Sequence, residues 1–173
     1  MQKIRLVVSL ALLLCLGLFA GCSSDEKSAE SGTPTATAAP SAEKIVFGDG
    51  VYGLERGADN VSWRWVGEAG VVRLKNFKQD GVLKMVTEVP MKYFPKTPTI
   101  TVTLNGEKLD QFAATPGKME KSYTVPAAKL GASDYAELRV STDKTFVPKE
   151  VEKNSQDPRK LGLTINDLTW DQK

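Results

Sequence analysis

The chain has 173 residues, 41% of them hydrophobic and 25% charged, with no histidine, which suits one modest domain with appendages. The missing histidine excludes Ser-His-Asp and Cys-His catalysis, imidazole general bases and every histidine-containing zinc site. The formal charge of +2 is owed to Lys3 and Arg5. Beyond residue 21 acids and bases balance, so no electrostatic pull toward nucleic acid exists.

Lys3 and Arg5 form a short positive segment ahead of a predominantly apolar run over residues 6–20. A bilayer core requires about 20 apolar residues, so this run is an expected export signal and not a permanent span. Phe19-Ala20-Gly21-Cys22 follows. This stretch resembles the lipobox of bacterial lipoproteins, although Phe19 stands where leucine is preferred. The resemblance implies cleavage after residue 21 and lipidation of Cys22. The anchor partner is then the membrane itself, and several acyl chains at about 0.8 kcal/mol per buried methylene hold a protein there without a spanning helix. Ser23, and not aspartate, follows the cysteine. In a two-membrane host that points to the outer membrane, and in a one-membrane host to the outer face of the cell membrane. Cys15 lies in the signal and is lost with it, so no intrachain disulfide is expected.

Residues 23–42 are dominated by Ser, Ala, Thr, Pro, Glu and Lys. Such a segment buries too little apolar area to offset ordering entropy, which predicts a disordered tether over 22–42. A coil of about 20 residues spans roughly 25 Å, enough for reach.

From residue 43 to 173 the apolar pattern has period two, and no window sustains a 3.6-residue stripe. The expected fold is all-β, a single β-sandwich or jelly roll. Strands are expected at 44–47, 61–66, 71–75, 82–89, 99–104, 108–112, 122–125, 137–141 and 162–170. Asn105-Gly106 supplies the positive φ angles of a type I′ hairpin between the strands at 99–104 and 108–112. Leu163 and Ile165 are out of phase with Leu168 and Trp170, so a bulge near Asn166-Asp167 is needed to bring all four to one face. The stretch 126–131 has room for one helical turn.

Gly48-Asp49-Gly50-Val51-Tyr52-Gly53 matches G-x-G-x-x-G, but no amphipathic helix and no βαβ unit follow, so the dinucleotide reading fails. The glycines are expected to make a tight turn at the sandwich edge. Loop carboxylates such as Asp49 and Asp59 lack the ordered spacing of a calcium loop. Neither a metal nor a cofactor is expected.

The remaining elements are Tyr52-Gly53-Leu54-Glu55, Trp63-Arg64-Trp65 and Asp157-Pro158-Arg159-Lys160-Leu161-Gly162-Leu163. In this order they resemble a β-sandwich domain of bacterial surface-glycan proteins, found appended to envelope glycosyltransferases and as free-standing lipoproteins. The resemblance spans most of residues 46–170. It implies a galactose-binding-like sandwich with a glycan-related role and supplies no catalytic residue.

Buried ions are almost always paired. Arg64, among strand aromatics, is expected to be held by Glu55 or Asp157, with Arg159 completing a structural network that pins the last strand to the first ones. Trp63 and Trp65 share one face and Arg64 takes the other. If the tryptophans face inward they are core, the expectation for at least one of them. If they face outward they make a sugar-stacking platform that Tyr52 extends. Glu55 and Asp157 form a carboxylate pair of the kind glycoside hydrolysis uses, but without a cleft-forming insertion and with bases beside them the chain is not expected to be an enzyme. The functional expectation is a non-catalytic, lipid-anchored envelope protein with a glycan-binding module. The alternative is a protein-binding or structural envelope lipoprotein.

Overall fold

The computed structural model describes residues 43–173. The expected signal peptide (1–21), lipidated Cys22 and tether (22–42) lie outside the described residues. Within them no helix is long and apolar enough to cross a membrane.

Among the described residues ten strands form two antiparallel five-stranded sheets. The first sheet has the spatial order β1 (Ile45–Phe47), β4 (Ala69–Lys75), β9 (Tyr135–Thr142), β6 (Thr99–Leu104) and β7 (Glu107–Ala113). The second has β2 (Val51–Arg56), β3 (Ser62–Val66), β10 (Leu163–Gln172), β5 (Gly81–Glu88) and β8 (Lys118–Val125). The chain is therefore all-β, a sandwich, as its period-two pattern predicts.

Alternation decides which side chains meet between the sheets. Ile100, Val102 and Leu104 of β6 pack with Leu138 and Val140 of β9 against Leu83 and Met85 of β5 and Leu163 of β10, all 0–1% exposed. Asn105 (φ 49°) and Gly106 (φ 83°) both adopt positive φ, the requirement of the I′ hairpin that joins β6 to β7. In β10, Ile165 opposes Thr87 while Asp167 opposes Val86, leaving Asn166 as the extra residue of a bulge. The bulge returns Leu168 and Trp170 to the core side. There the Trp170 indole N–H donates to the Lys75 carbonyl at 2.8 Å, a bond from the second sheet to the first. Residues Ala127–Leu130 make the short 3-10 turn expected between β8 and β9.

One strand departs from expectation. The glycine-rich stretch 48–53, expected as a turn, runs instead into edge strand β2 from Val51 onward. The turn is shorter and earlier. Gly50 has φ 73°, and a Cβ there would stand 1.9 Å from the Ala69 carbonyl oxygen, so glycine is required at that one position. Gly53 tolerates the strand because β2 is an edge and its register with β3 is broken between Val51 and Leu54.

Both open sides of the sandwich are closed by a cation on a phenylalanine. At the β7/β8 side the Lys121 ammonium lies 4.0 Å over the Phe112 ring and 3.3 Å from Asp110. Tyr123 donates its hydroxyl to the same carboxylate at 3.2 Å. Burial, then the Asp110 charge, raises the Tyr123 phenol well above its ordinary value. Desolvation opposes ionisation of Asp110, but the Gln111 N–H, Lys121 and Tyr123 together hold its carboxyl below the usual range. At the β1/β2 side the guanidinium of Arg64 lies 4.4 Å over Phe47.

Candidate functional site

Register fixes which way β3 points. Leu163 pairs with Val66 and Ile165 with Arg64, and directly paired residues share a face. Arg64 therefore points between the sheets with the core residues. Trp63 and Trp65 point outward, the reverse of the expectation that at least one belongs to the core. The inward position suits Arg64 because its charge sits on the Phe47 ring and its Nη1–H donates to the Tyr52 carbonyl at 3.3 Å. Among the described residues Arg64 makes no ion pair, so its expected membership of the Glu55–Asp157–Arg159 network is corrected.

The network itself is built on Arg159. Its Nε and Nη2 donate to Asp157 at 2.9 Å and 2.6 Å, and its Nη1 donates to Glu55 at 2.8 Å. The backbone N–H of Arg159 also donates to Asp157 at 2.9 Å, so two residues of one loop turn hold each other while Glu55 ties them to β2. Hydrogen bonding from Arg159, against the cost of burial, holds the Asp157 carboxyl below the usual carboxylate range. The two acids raise the guanidinium of Arg159 above its ordinary value. All three side chains are a quarter to a third exposed. The network is thus a partly wet clamp, and its charges face a cavity.

That cavity, about 400 Å³, opens on the outer face of the second sheet. Its floor is Trp63 and Trp65, its walls Tyr93, Phe146 and the Arg159 clamp. The aromatic wall is ordered by stacking. Tyr93 lies on Phe146 with centroids 4.3 Å apart and planes at 23°, and Trp65 meets Phe146 edge-on at 6.0 Å. Phe146 is fixed in turn by reciprocal 2.8 Å backbone bonds with Leu161. Glu152, just past the short helix α1 (Pro148–Val151), accepts from the Tyr93 hydroxyl and from Lys92. Trp63 and Trp65 also line a neighbouring 290 Å³ cavity with Val61, Glu88, Pro90 and Thr164. The two tryptophans form the ridge between the pair.

Tyr52 stands apart from this ridge. Its ring carries the Arg159 guanidinium at 5.1 Å, and its hydroxyl donates to the Lys160 carbonyl at 3.3 Å. It lines a different and larger cleft, so the expected three-ring platform divides into two places. Sequence reading missed Tyr93 and Phe146. Tyr93 ends a short 3-10 helix (Met91–Tyr93) and Phe146 makes an isolated bridge to Leu161, both outside any periodic pattern, and only the fold carries them to the tryptophans. No group of three metal-ligating side chains occurs among the described residues.

No protein-family model matches the chain, and no curated protein does. Solved structures similar to it include a secreted serine protease, VesC, from Vibrio cholerae (13% identity, TM-score 0.41, 73% of this chain and 24% of that one). This chain thus spans about a quarter of that protease's length. Two others are a CBM35 module from Paenibacillus barcinonensis (13% identity, TM-score 0.39, 75% of this chain and 94% of that one) and TmCBM61 in complex with β-1,4-galactotriose (8% identity, TM-score 0.41, 75% and 87%).

Proposed function

We propose that the chain is a non-catalytic glycan-binding module, lipid-anchored through Cys22 at the bacterial envelope, and that its binding surface is the aromatic cavity on the outer face of the second sheet. The observation that carries this reading is the placement of Trp63 and Trp65. Both leave the core, and with Tyr93 and Phe146 they line an open cavity. Aromatic rings offer their faces to the C–H side of a sugar, while the carboxylates of Glu55, Asp157 and Glu152 accept from its hydroxyls. This chemistry favours a neutral glycan. It also agrees with the glycan-related role implied by the Tyr52–Glu55, Trp63–Trp65 and Asp157–Leu163 elements.

A binding role without turnover rests on the acids. Glycoside hydrolysis requires one carboxyl with a raised pKa to protonate the leaving oxygen. Asp157 is shifted the opposite way by Arg159, and the same guanidinium holds Glu55.

The test is calorimetric titration of the chain from residue 23 onward with neutral gluco-, galacto- and manno-oligosaccharides, read in parallel by tryptophan fluorescence. Saturable binding that disappears in Trp63→Ala and Trp65→Ala, with the β-sheet signal intact, is the expected result. Parent protein that binds none of the three sugars defeats the glycan reading and leaves the protein-binding envelope lipoprotein. The anchor is checked separately by palmitate labelling. Cys22→Ala is expected to abolish incorporation, and undiminished labelling refutes the assignment.

A further inference from the structure

A second concavity is roomier than the aromatic one. A cleft of about 880 Å³ lies where the outer face of the first sheet meets the β3–β4 turn, within the size range of small-molecule sites. Alternation that sends Ile100, Val102, Leu138 and Val140 inward sends Thr99, Thr101, Arg139 and Ser141 outward into this cleft. Gln111 of β7, opposite Thr101, adds an amide. Gly50, Gly67 and Ala69 keep the adjoining wall low.

The polar groups here are only loosely committed to one another. Gln111 reaches the Thr101 hydroxyl at 3.4 Å, and the Ser141 hydroxyl reaches the Thr101 carbonyl at 3.4 Å, both near the limit of useful bonding. Asp143 is spent internally, since it accepts from Lys144 at 2.7 Å and from the Thr99 N–H at 2.6 Å. The Arg139 guanidinium has no hydrogen-bond or ion-pair partner among the described residues, and neither has the Lys160 ammonium. Against these two free cations the cleft holds one uncommitted acid, Glu68. The segment from Asp157 to Leu161 divides the two sites, with Asp157, Arg159 and Leu161 on the aromatic cavity and Lys160 on this cleft.

We propose that this cleft is a second binding site, specific for an acidic glycan. Arg139 receives an oxyanion of the sugar, Lys160 adds charge at one end, and Thr99, Thr101, Ser141 and Gln111 exchange their weak mutual bonds for sugar hydroxyls. A guanidinium matches carboxylate and phosphate alike by its paired donors, so the chemistry shared by both is what the site reads. The aromatic ridge lacks a free cation of this kind, because its Arg159 is engaged by two acids and Lys92 by Glu152. The second site does not require the first to be functional.

The experiment uses the full chain in detergent with three probes: oligogalacturonate, the same oligomer with its carboxyls reduced, and a phosphorylated mannan oligosaccharide. At least one charged probe is expected to bind with an affinity that falls as salt rises, while the reduced oligomer does not enter this cleft. Arg139→Glu is expected to weaken charged-probe binding by at least about tenfold and Lys160→Ala by about threefold, on the strength of a charge-assisted hydrogen bond. Arg139→Gln guards against a folding artefact of charge reversal and should weaken binding with an unchanged melting temperature. Trp63→Ala should leave charged-probe affinity as it was. Which charged probe wins tells carboxylate from phosphate. Failure of both, binding of the reduced oligomer sensitive to Arg139→Glu, or full affinity in Arg139→Glu overturns the proposal. A parent protein that gives no neutral-sugar fluorescence response but binds a charged probe refutes the aromatic site alone.

Discussion

Strands β3 and β6 both alternate large apolar with polar residues, yet they sit in the sandwich with opposite phase. In β6 the apolar set Ile100, Val102 and Leu104 faces the core and the threonines face out. In β3 the tryptophans face out and Arg64 faces in. The difference lies in what each strand finds on its two sides. Outside β6 the hydroxyls meet an open cleft, whereas outside β3 two connecting segments bring Tyr93 and Phe146 over the ridge. Inside β3, the strand next to edge strand β2, a position over Phe47 accepts a cation that the centre of the sheet cannot hold. Hydrophobic alternation specifies a period, and cover from elsewhere in the chain specifies the phase.

The sharpest way to break this comparison is truncation on both strands. Ile100→Ala removes a fully buried side chain and is expected to cost about 3 kcal/mol in urea-unfolding stability. Trp65→Ala, on a half-covered outer face, should cost roughly half as much, about 1.5 kcal/mol. Equal costs would make the outer aromatic cluster a second core. Next in size is Arg159→Ala, expected to cost about 1–2 kcal/mol, because its two acids are partly wet and the clamp is discounted by solvent. Its pH dependence is signed. The native Asp157 carboxyl titrates below its unfolded value near 3.9, so the clamp's contribution is fully present above that value and is lost as pH falls through the native one. The gap between parent and Arg159→Ala in acid-unfolding profiles should therefore close below about pH 4, and a gap that persists unchanged there would assign the effect to packing on Tyr52. The smallest effect is expected for Arg64→Met, about 0.5–1 kcal/mol for the lost cation–aromatic contact. A thermal melt showing several times that loss would mean that Arg64 is as deeply committed as the apolar residues of β6.

The same contrast explains what was legible in the amino-acid order. β6, its hairpin and the bulge in β10 are local: Asn105-Gly106 fixes the turn, and the phase break between Ile165 and Leu168 demands one extra residue. Edge strand β2 was hidden because Gly48, Gly50 and Gly53 read as a turn, whereas only Gly50 among the three needs a positive φ. The pairing of Arg159 with both Glu55 and Asp157 follows from their types, but its exclusion of Arg64 depends on a register with Ile165 that is set a hundred residues away. Trp170, not Trp63 or Trp65, is the core tryptophan, and its indole finds the Lys75 carbonyl only once both sheets exist.

β10 lies in the middle of the second sheet, hydrogen-bonded to β3 on one side and β5 on the other. A chain emerging from its N-terminal end therefore presents β2 and β3 on one side, and β5 and β8 on the other, with nothing between them until residues 163–172 arrive. The first sheet is complete by Thr142, while the second waits for its central strand. Loss of residues 163–172 would therefore strip β3 and β5 of the hydrogen-bonding partner they share and split the second sheet into two ribbons, β2 with β3 and β5 with β8.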